Sequence, residues 1–375
     1  MRVLQVSHAW AGGGSALYAA ALGDELRRQG VRADRFGPAD VPGRRARGFG
    51  GSFADPAVEA AFTERVSGVD VVHVHHLSGL SLGVPALAAA AGARVFVTLH
   101  DYWFSCARGQ LIDAQGQRCV GPTPSRCAAC LAPHLWAPVP STVARRLPPR
   151  EAPIRDREAA WAGVKRATTA FFAPSGWVAR RLGVEAEVVP LPLLRPVPAA
   201  PIAPPGPLRV LFLGAWIPPK GPHLLLDAFS SLPAGAATLR MVGPSPPFNG
   251  STTWATALRS RAMATPGVSV GGEVSHAAVI AELHEADLLV LPSTWEENAP
   301  LVLGEALAAG LRVLASDVGG VREVAPEARL VEAGEVAPLR AALVDEVRRG
   351  RGRNVPVVRQ SLAEHVATLR SRYRE

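Results

Sequence analysis

Short apolar runs, each closed by a polar or glycine-rich loop and followed by helical spacing, recur along the whole chain. Arg2 to Ser7 reads as a first strand, and Ala16 to Gln29 reads as a helix ended by Gly30. Val69 to His76 and Val95 to His100 read as further strands. Glu151 to Thr168 and Gly176 to Leu182 read as helices, with a strand end at Phe171 to Ser175 between them. Pro190 to Pro207 is rich in proline and has few helix or strand signals, so it reads as an interdomain linker, whereas Pro133 to Arg150 reads as a Pro-rich loop. The strand–loop–helix pattern then restarts. Leu208 to Leu213 is a strand, Gly214 to Pro219 a loop, and Lys220-Gly221 opens a helix. Thr238 to Val242 and Val268 to Val270 are further short strands. Apolar runs without alternation are the mark of parallel strands buried on both faces, so the pattern predicts two doubly wound α/β domains. The boundaries read as residues 1–195 with a Cys-rich insertion at 104–135, a linker at 196–207, a second domain at 208–356, and a terminal helical segment at 357–375 that crosses back to the first.

One stretch, Leu291 to Val324, carries the densest chemistry. It follows the apolar run Leu288 to Leu291 and continues through a loop with Glu296 and Glu297 into a helix holding Glu305. Asn298 reads as the cap of that helix, Pro300 as a first-turn residue, and Gly310 as its terminator. Leu311 to Ser316 is a second strand, and Gly319-Gly320 opens another helix. Glu297 and Glu305 are eight positions apart, which is roughly 12 Å along a continuous helix. That is too long for a paired acid and base across one glycosidic bond, where carboxyl groups lie about 5 to 9.5 Å apart. It suits two ends of one extended ligand lying at a helix N-terminus, where free N–H groups favour phosphate. Taken alone, an E-x7-E pair is an ordinary solvated loop and helix. The strand before it, the helix break after it and the Gly-Gly loop beyond it change that reading.

At 375 residues with 48% apolar content, the chain has room for two cores and is not disordered. The net charge is +8 and the isoelectric point near 10.1. Basic clusters stand at Arg44-Arg45-Ala46-Arg47, Arg145-Arg146, Arg180-Arg181 and Arg348 to Arg353. They are compatible with anionic ligands or a peripheral membrane contact, but no nucleic-acid motif and few aromatics accompany them, which argues against nucleic acid. The N-terminus has no apolar signal core, and the apolar region Leu77 to Leu99 is broken by Pro85, glycines and Arg94. A cytoplasmic, soluble protein is the expectation.

The first strand is followed by His8-Ala9-Trp10-Ala11-Gly12-Gly13-Gly14-Ser15. These glycines do not follow G-x-G-x-x-G and no acidic residue stands at dinucleotide spacing, so a NAD site is disfavoured. They suit a close approach of backbone to phosphate or sugar. His73 and His75 share one strand face and read as a polar lining of a cleft. His100-Asp101-Tyr102-Trp103 brings a histidine, a carboxylate and two aromatics to one strand end, as a reacting site or as a His–Asp cap with aromatic packing. All four cysteines, Cys106, Cys119, Cys127 and Cys130, fall nearby as C-x12-C-x7-C-x2-C. A structural zinc is one reading of that spacing; an iron–sulfur cluster and no metal are the alternatives.

The chain resembles the retaining, nucleotide-sugar-dependent glycosyltransferases of family 4, which have the GT-B fold of two facing Rossmann-like domains with a cleft between them. The resemblance rests on PSTWEENAPLVLGEALAAGLRVLASDVGG, on the glycine loop after the first strand, and on VHVHH, TLHDYW, APSGW and the Lys-Gly helix start. It implies that Glu305 accepts hydrogen bonds from the ribose hydroxyls and that Glu297 holds hydroxyls of the donor sugar. It implies backbone donors at Asn298, Ala299 and Leu301, and a donor-side role for Gly13, Gly14 and Gly214. Lys220 would neutralise the leaving diphosphate without a catalytic metal, and His100 would sit beside donor sugar and acceptor. The family often carries an arginine just after the strand glycine, and here that place holds Ala215. The segment TLHDYWFSCARGQL and its cysteines are similar to a subgroup associated with polysaccharide or secondary-metabolite glycosylation, so a glycan, lipid-linked or small-molecule acceptor is implied. A sugar-nucleotide epimerase and a nucleotide-sugar binder without turnover are the rival expectations.

Overall fold

The computed structural model describes residues 1–42, 54–135, 139–144, 146–148, 150–201 and 204–375. The Arg44–Arg47 cluster, Arg145 and part of the Pro-rich segment before residue 208 lie outside the described residues. Two compact units account for the rest: Met1–Leu194 with Ser361–Glu375, and Arg195–Gln360.

Unit 1 is a parallel sheet of β1 (Arg2–Val6), β2 (Arg32–Phe36), β3 (Val71–Val74), β4 (Arg94–Thr98), β5 (Ala170–Ala173) and β6 (Glu187–Val188), in the order β2-β1-β3-β4-β5-β6. Unit 2 is a parallel sheet of β7 (Leu208–Leu213), β8 (Ala237–Val242), β9 (Val268–Val270), β10 (Leu288–Leu291), β11 (Arg312–Ser316) and β12 (Arg329–Val331), in the order β12-β11-β10-β7-β8-β9. In each sheet the chain winds outward from one strand and then reverses on its other side, so a switch point falls between β1 and β3 and another between β7 and β10. Crevices at such points, beyond the strands' carboxyl ends, are where ligands bind in open α/β sheets.

The apolar runs explain the layering of unit 2. Leu208, Val210 and Phe212 of β7 enter one core, with Leu288 and Val290 of β10. The alternate residues Leu211, Leu213, Leu289 and Leu291 enter a second core on the opposite face. A strand with helices on both sides needs apolar residues at every position.

The helix after β10 spans Leu301–Ala308, and its N-cap is Pro300 at φ −61° and ψ 123°. Asn298, expected as the cap, lies two residues earlier and is buried. Proline forces its predecessor out of the helical region, so Ala299 cannot extend the helix backwards. The expected 12 Å of helix between the two carboxylates is therefore corrected. Only Leu301 to Glu305 is helical, about 6 Å of rise.

The proline-rich segment before β7 is packed on unit 2. Ala200 is buried and its N–H donates to Ala309 O at 3.0 Å. Arg351 donates to the carbonyls of Pro207 and Pro204, each at 2.8 Å, and Arg353 to that of Pro201 at 3.1 Å. Prolines cannot donate, so guanidinium groups satisfy the carbonyls they leave. In the Pro133 to Arg150 region the described residues include two short helices, Ala132–Leu135 and Ser141–Ala144.

The last helix, Leu362–Arg372, starts from a capping box of Ser361 and Glu364 and belongs to unit 1. His365 and Tyr373 are buried in that unit, His365 Nε2 at 2.6 Å from Tyr18 Oη and Tyr373 Oη at 2.5 Å from His73 Nδ1. Val366 and Leu369 are fully buried beside them. At about 1.5 to 3 kcal/mol for each fully buried apolar side chain, deleting residues 361–375 should remove much of unit 1's stability. Thermal unfolding of the truncated chain should show a markedly lower Tm, and an unchanged Tm would refute this packing. No described helix is long and apolar enough to cross a membrane.

Candidate active site

At the switch point of unit 2, two loops meet over the ends of β7 and β10. The first descends from β7 through Gly214 to a 3-10 turn at Pro218–Lys220, whose two prolines preset its dihedrals. Gly221 follows at φ +68°, and a Cβ there would lie 1.9 Å from Pro292 O. The second loop runs from Pro292 to Asn298 and is tied to the first by Thr294 N–H donating to Pro219 O at 2.8 Å. A third element fixes Glu297 from behind, since Gly320 N–H donates to Glu297 O at 2.7 Å. Gly319, at φ +57°, brings its backbone so close that a Cβ would lie 2.0 Å from that same oxygen. Gly319→Ala combines a left-handed backbone with a backbone clash, a strain of about 2 to 3 kcal/mol. It should lower the unfolding midpoint in denaturant, and a wild-type midpoint would refute the contact.

This scaffold joins two residues that the sequence had assigned to separate tasks. Lys220 Nζ donates to Glu297 Oε1 at 2.6 Å, and Ser293 Oγ donates to the same oxygen at 2.6 Å. The ammonium also lies 5.0 Å from the centroid of the buried Trp295 ring. Glu297 is 3% exposed, while the Lys220 side chain keeps 21% of its surface. A buried carboxylate is costly unless paired and hydrogen-bonded, and here both conditions hold. The result is a fixed ion pair whose ammonium keeps one side open. Trp295 and Ser293 were not singled out in the sequence; an indole and a hydroxyl flanking Glu-Glu after a buried strand were the available signal.

Glu305 lies one helical turn inside Leu301–Ala308, on its buried face, and burial pushes its carboxyl up to about 7. Asn298 is buried, whereas Ala299 and Leu301 at the helix start are partly exposed. Gly214 is held by its N–H donating to Val242 O at 3.0 Å, and Ala215 follows it. The Glu305 shift has a thermodynamic sign. Between the carboxyl's ordinary value of 4.5 and about 7 the folded chain holds a proton that the unfolded chain has lost. Stability should fall as pH rises through that window and level off above it. Glu305→Gln should flatten this slope in urea titrations; an unaltered slope would refute it.

In unit 1 the carboxyl ends of β1, β3 and β4 gather histidines. Gly13 and Gly14 are exposed, with Gly13 as N-cap and Gly14 opening the Gly14–Arg28 helix. His73, expected to line a cleft, is instead fully buried, bonded to Tyr373 and to Thr98 Oγ1 at 2.7 Å. It lies inside the paired strand, whose ladder stops at Val74. His75 is also fully buried, accompanied by Gln5 and by His100 Nε2 at 3.3 Å. His100 is partly exposed, and burial of its ring pushes it down to about 3, so it is neutral in any ordinary buffer. His76 Nε2 lies 3.2 Å from Asp101 Oδ2. Burial raises the Asp101 carboxyl, but the His76 charge and hydrogen bond and the Trp103 N–H outweigh it and hold it below its ordinary value. Trp103 stacks against Arg157, whose Cζ is 4.3 Å from the ring centroid.

The four cysteines are free: Cys106 is buried, and Cys119, Cys127 and Cys130 are partly exposed. Burial pushes the Cys127 thiol up to about 11 and raises that of Cys130. Among the described residues no group of three or more His, Cys, Asp or Glu is arranged to hold a metal ion. The charges of Cys106, Cys119 and Cys130 also raise the Cys127 thiol, and metal analysis of the purified chain is the test of the expected structural zinc.

Residues 207–349 match the family model of glycosyl transferases group 1. No curated protein sequence matches the chain. Among solved structures, HepE of Anabaena in complex with UDP and glucose is 14% identical at TM-score 0.63, covering 100% of this chain and 95% of that one. AviGT4, a glycosyltransferase involved in avilamycin A biosynthesis, is 18% identical at TM-score 0.55, with 100% and 97% covered. The catalytic domain of starch synthase IV from Arabidopsis thaliana, bound to ADP and acarbose, is 13% identical at TM-score 0.63, with 100% and 98% covered. The fold is the two-domain α/β GT-B fold of these enzymes. Family match and fold together indicate a glycosyltransferase.

Proposed function

We propose that the chain is a retaining, family 4 glycosyltransferase that moves a sugar from a UDP- or GDP-sugar to a hydroxyl acceptor. The observation that carries this reading is the Lys220–Glu297 pair, fixed over the ends of β7 and β10 inside the segment that matches the transferase family. Departure of a nucleoside diphosphate builds negative charge on its oxygens. A preorganised ammonium beside a helix start stabilises that charge without reorganising during the reaction. Glu297 keeps the ammonium in place and offers its carboxylate to hydroxyls of the donor sugar. Glu305, one turn into the helix, accepts from the ribose diol, and the N–H groups of Asn298, Ala299 and Leu301 face the diphosphate. The family resemblance assigns His100, Gly13 and Gly14 to the sugar and the acceptor. The acceptor hydroxyl forms its bond to the anomeric carbon on the face from which the diphosphate departs. Its proton leaves with the diphosphate or solvent.

The nucleotides bound by HepE and starch synthase IV support a nucleoside diphosphate donor. A glycan, lipid-linked or small-molecule acceptor in polysaccharide or secondary-metabolite assembly fits the aromatic loop at Trp103, and the avilamycin enzyme has the same fold. A lipid-linked acceptor would also bring the basic chain to a membrane surface from the cytoplasm. One observation favours a second reading: Ala215 leaves Lys220 without the usual arginine companion, as a binder without turnover would tolerate. A thermal-shift panel of UDP-, GDP- and ADP-sugars, followed by NMR of the product's anomeric configuration, separates these readings. Inverted product would refute retention, and stabilisation without turnover would favour the binder.

A further inference from the structure

Two buried polar side chains, Gln5 and His75, form a line that ends at the partly exposed His100. Gln5 lies within β1, opposite His73 in the β1–β3 register, and is fully buried. Its carbonyl oxygen meets His75 Nε2, and His75 Nδ1 meets His100 Nε2 at 3.3 Å. The Gln5 side chain also acts on the Tyr373 hydroxyl, which is engaged with His73. Burial holds both His75 and His100 far below the ordinary imidazole value, so each ring carries one proton.

A neutral imidazole has one donor nitrogen and one acceptor nitrogen, so the line has a direction. The Gln5 carbonyl can only accept, which puts the His75 proton on Nε2. His75 Nδ1 is then the acceptor, and the bond to it requires the His100 proton on Nε2. We infer that Gln5 and His75 are positioning residues that hold His100 in its Nε2–H tautomer, so that Nδ1 is the atom with which His100 accepts a hydrogen bond. In that tautomer any hydroxyl that meets Nδ1 can only donate to it. An apolar residue at position 5 would bury without needing hydrogen-bond partners, so the amide is kept there for the partners it meets.

The kinetic consequence rests on the proposed transferase reading, whereas the tautomer does not. Nitrogen-15 NMR of imidazole-labelled full-length chain reads the tautomer directly, with the His100 signals assigned by their loss in His100→Asn. The expected result is a protonated Nε2 and a bare Nδ1 at His100. A protonated Nδ1 in the wild-type chain would overturn the inference, whatever the enzyme does. Gln5→Leu should shift His100 toward mixed tautomers and lower turnover roughly 10- to 100-fold, as loss of an orienting partner does elsewhere, with donor KM nearly unchanged. An unchanged His100 tautomer in folded Gln5→Leu would also overturn it. A wild-type chain with the expected tautomer but no transfer would instead sink the transferase reading alone.

Discussion

Lys220→Ala is expected to lower turnover by about 10²-fold or more, the scale on which a preorganised charge stabilises a transition state. The same substitution should destabilise the chain. Glu297 is 3% exposed and would keep only Ser293 as its hydrogen-bond partner among the bonds described above. Removing one partner of a buried pair costs up to about 3 to 5 kcal/mol. Lys220 retains some exposure, so the lower part of that range applies. The two effects can be separated. In Lys220→Ala/Glu297→Gln the stranded charge is gone, so unfolding should return toward wild type while turnover stays low. If stability and turnover recover together, Lys220 is structural and its assigned chemistry is wrong. Lys220→Arg is a further control: it keeps the charge but is too long for the 2.6 Å contact beneath Trp295, so partial activity is expected.

The second large effect is on donor affinity. Glu305→Ala should weaken nucleotide binding by about 10²-fold, because hydrogen bonds to a charged acceptor are worth about 1.5 to 3 kcal/mol. The buried carboxyl titrates near 7, so ionisation above that point should strengthen its bonds to a ribose diol. Calorimetric titration with UDP or GDP should therefore show affinity rising from pH 6 to 8 in the wild type and flat in Glu305→Gln. Binding of wild-type strength in Glu305→Ala would remove this residue from the nucleotide site.

Much of the fold was legible because parallel strands must be apolar on both faces. The runs at Leu208 and Leu288 therefore stand out without alternation. The Gly-Gly loop was legible for a related reason: only glycine allows Gly319 to approach the Glu297 carbonyl so closely. The helix start at Leu301 was misread because an asparagine at position 298 looks like a cap, while the conformational demand of Pro300 on its neighbour weighs more. The His73 reading failed for want of a long-range partner. Nothing local indicates that Tyr373, three hundred residues later, fills the space beside it. Lys220 and Glu297 were each identified, yet their pairing was not, because they are 77 positions apart and meet only where β7 and β10 lie side by side.

The central claim is that this chain releases a nucleoside diphosphate by transferring the sugar attached to it. Purified protein can be incubated with UDP-glucose and other UDP- and GDP-sugars, with and without sugar acceptors, while nucleoside diphosphate is followed by chromatography. The account predicts release from at least one donor, accelerated by an acceptor and abolished or greatly slowed by Lys220→Ala. Binding without release from any donor, or release that is indifferent to Lys220, would contradict it.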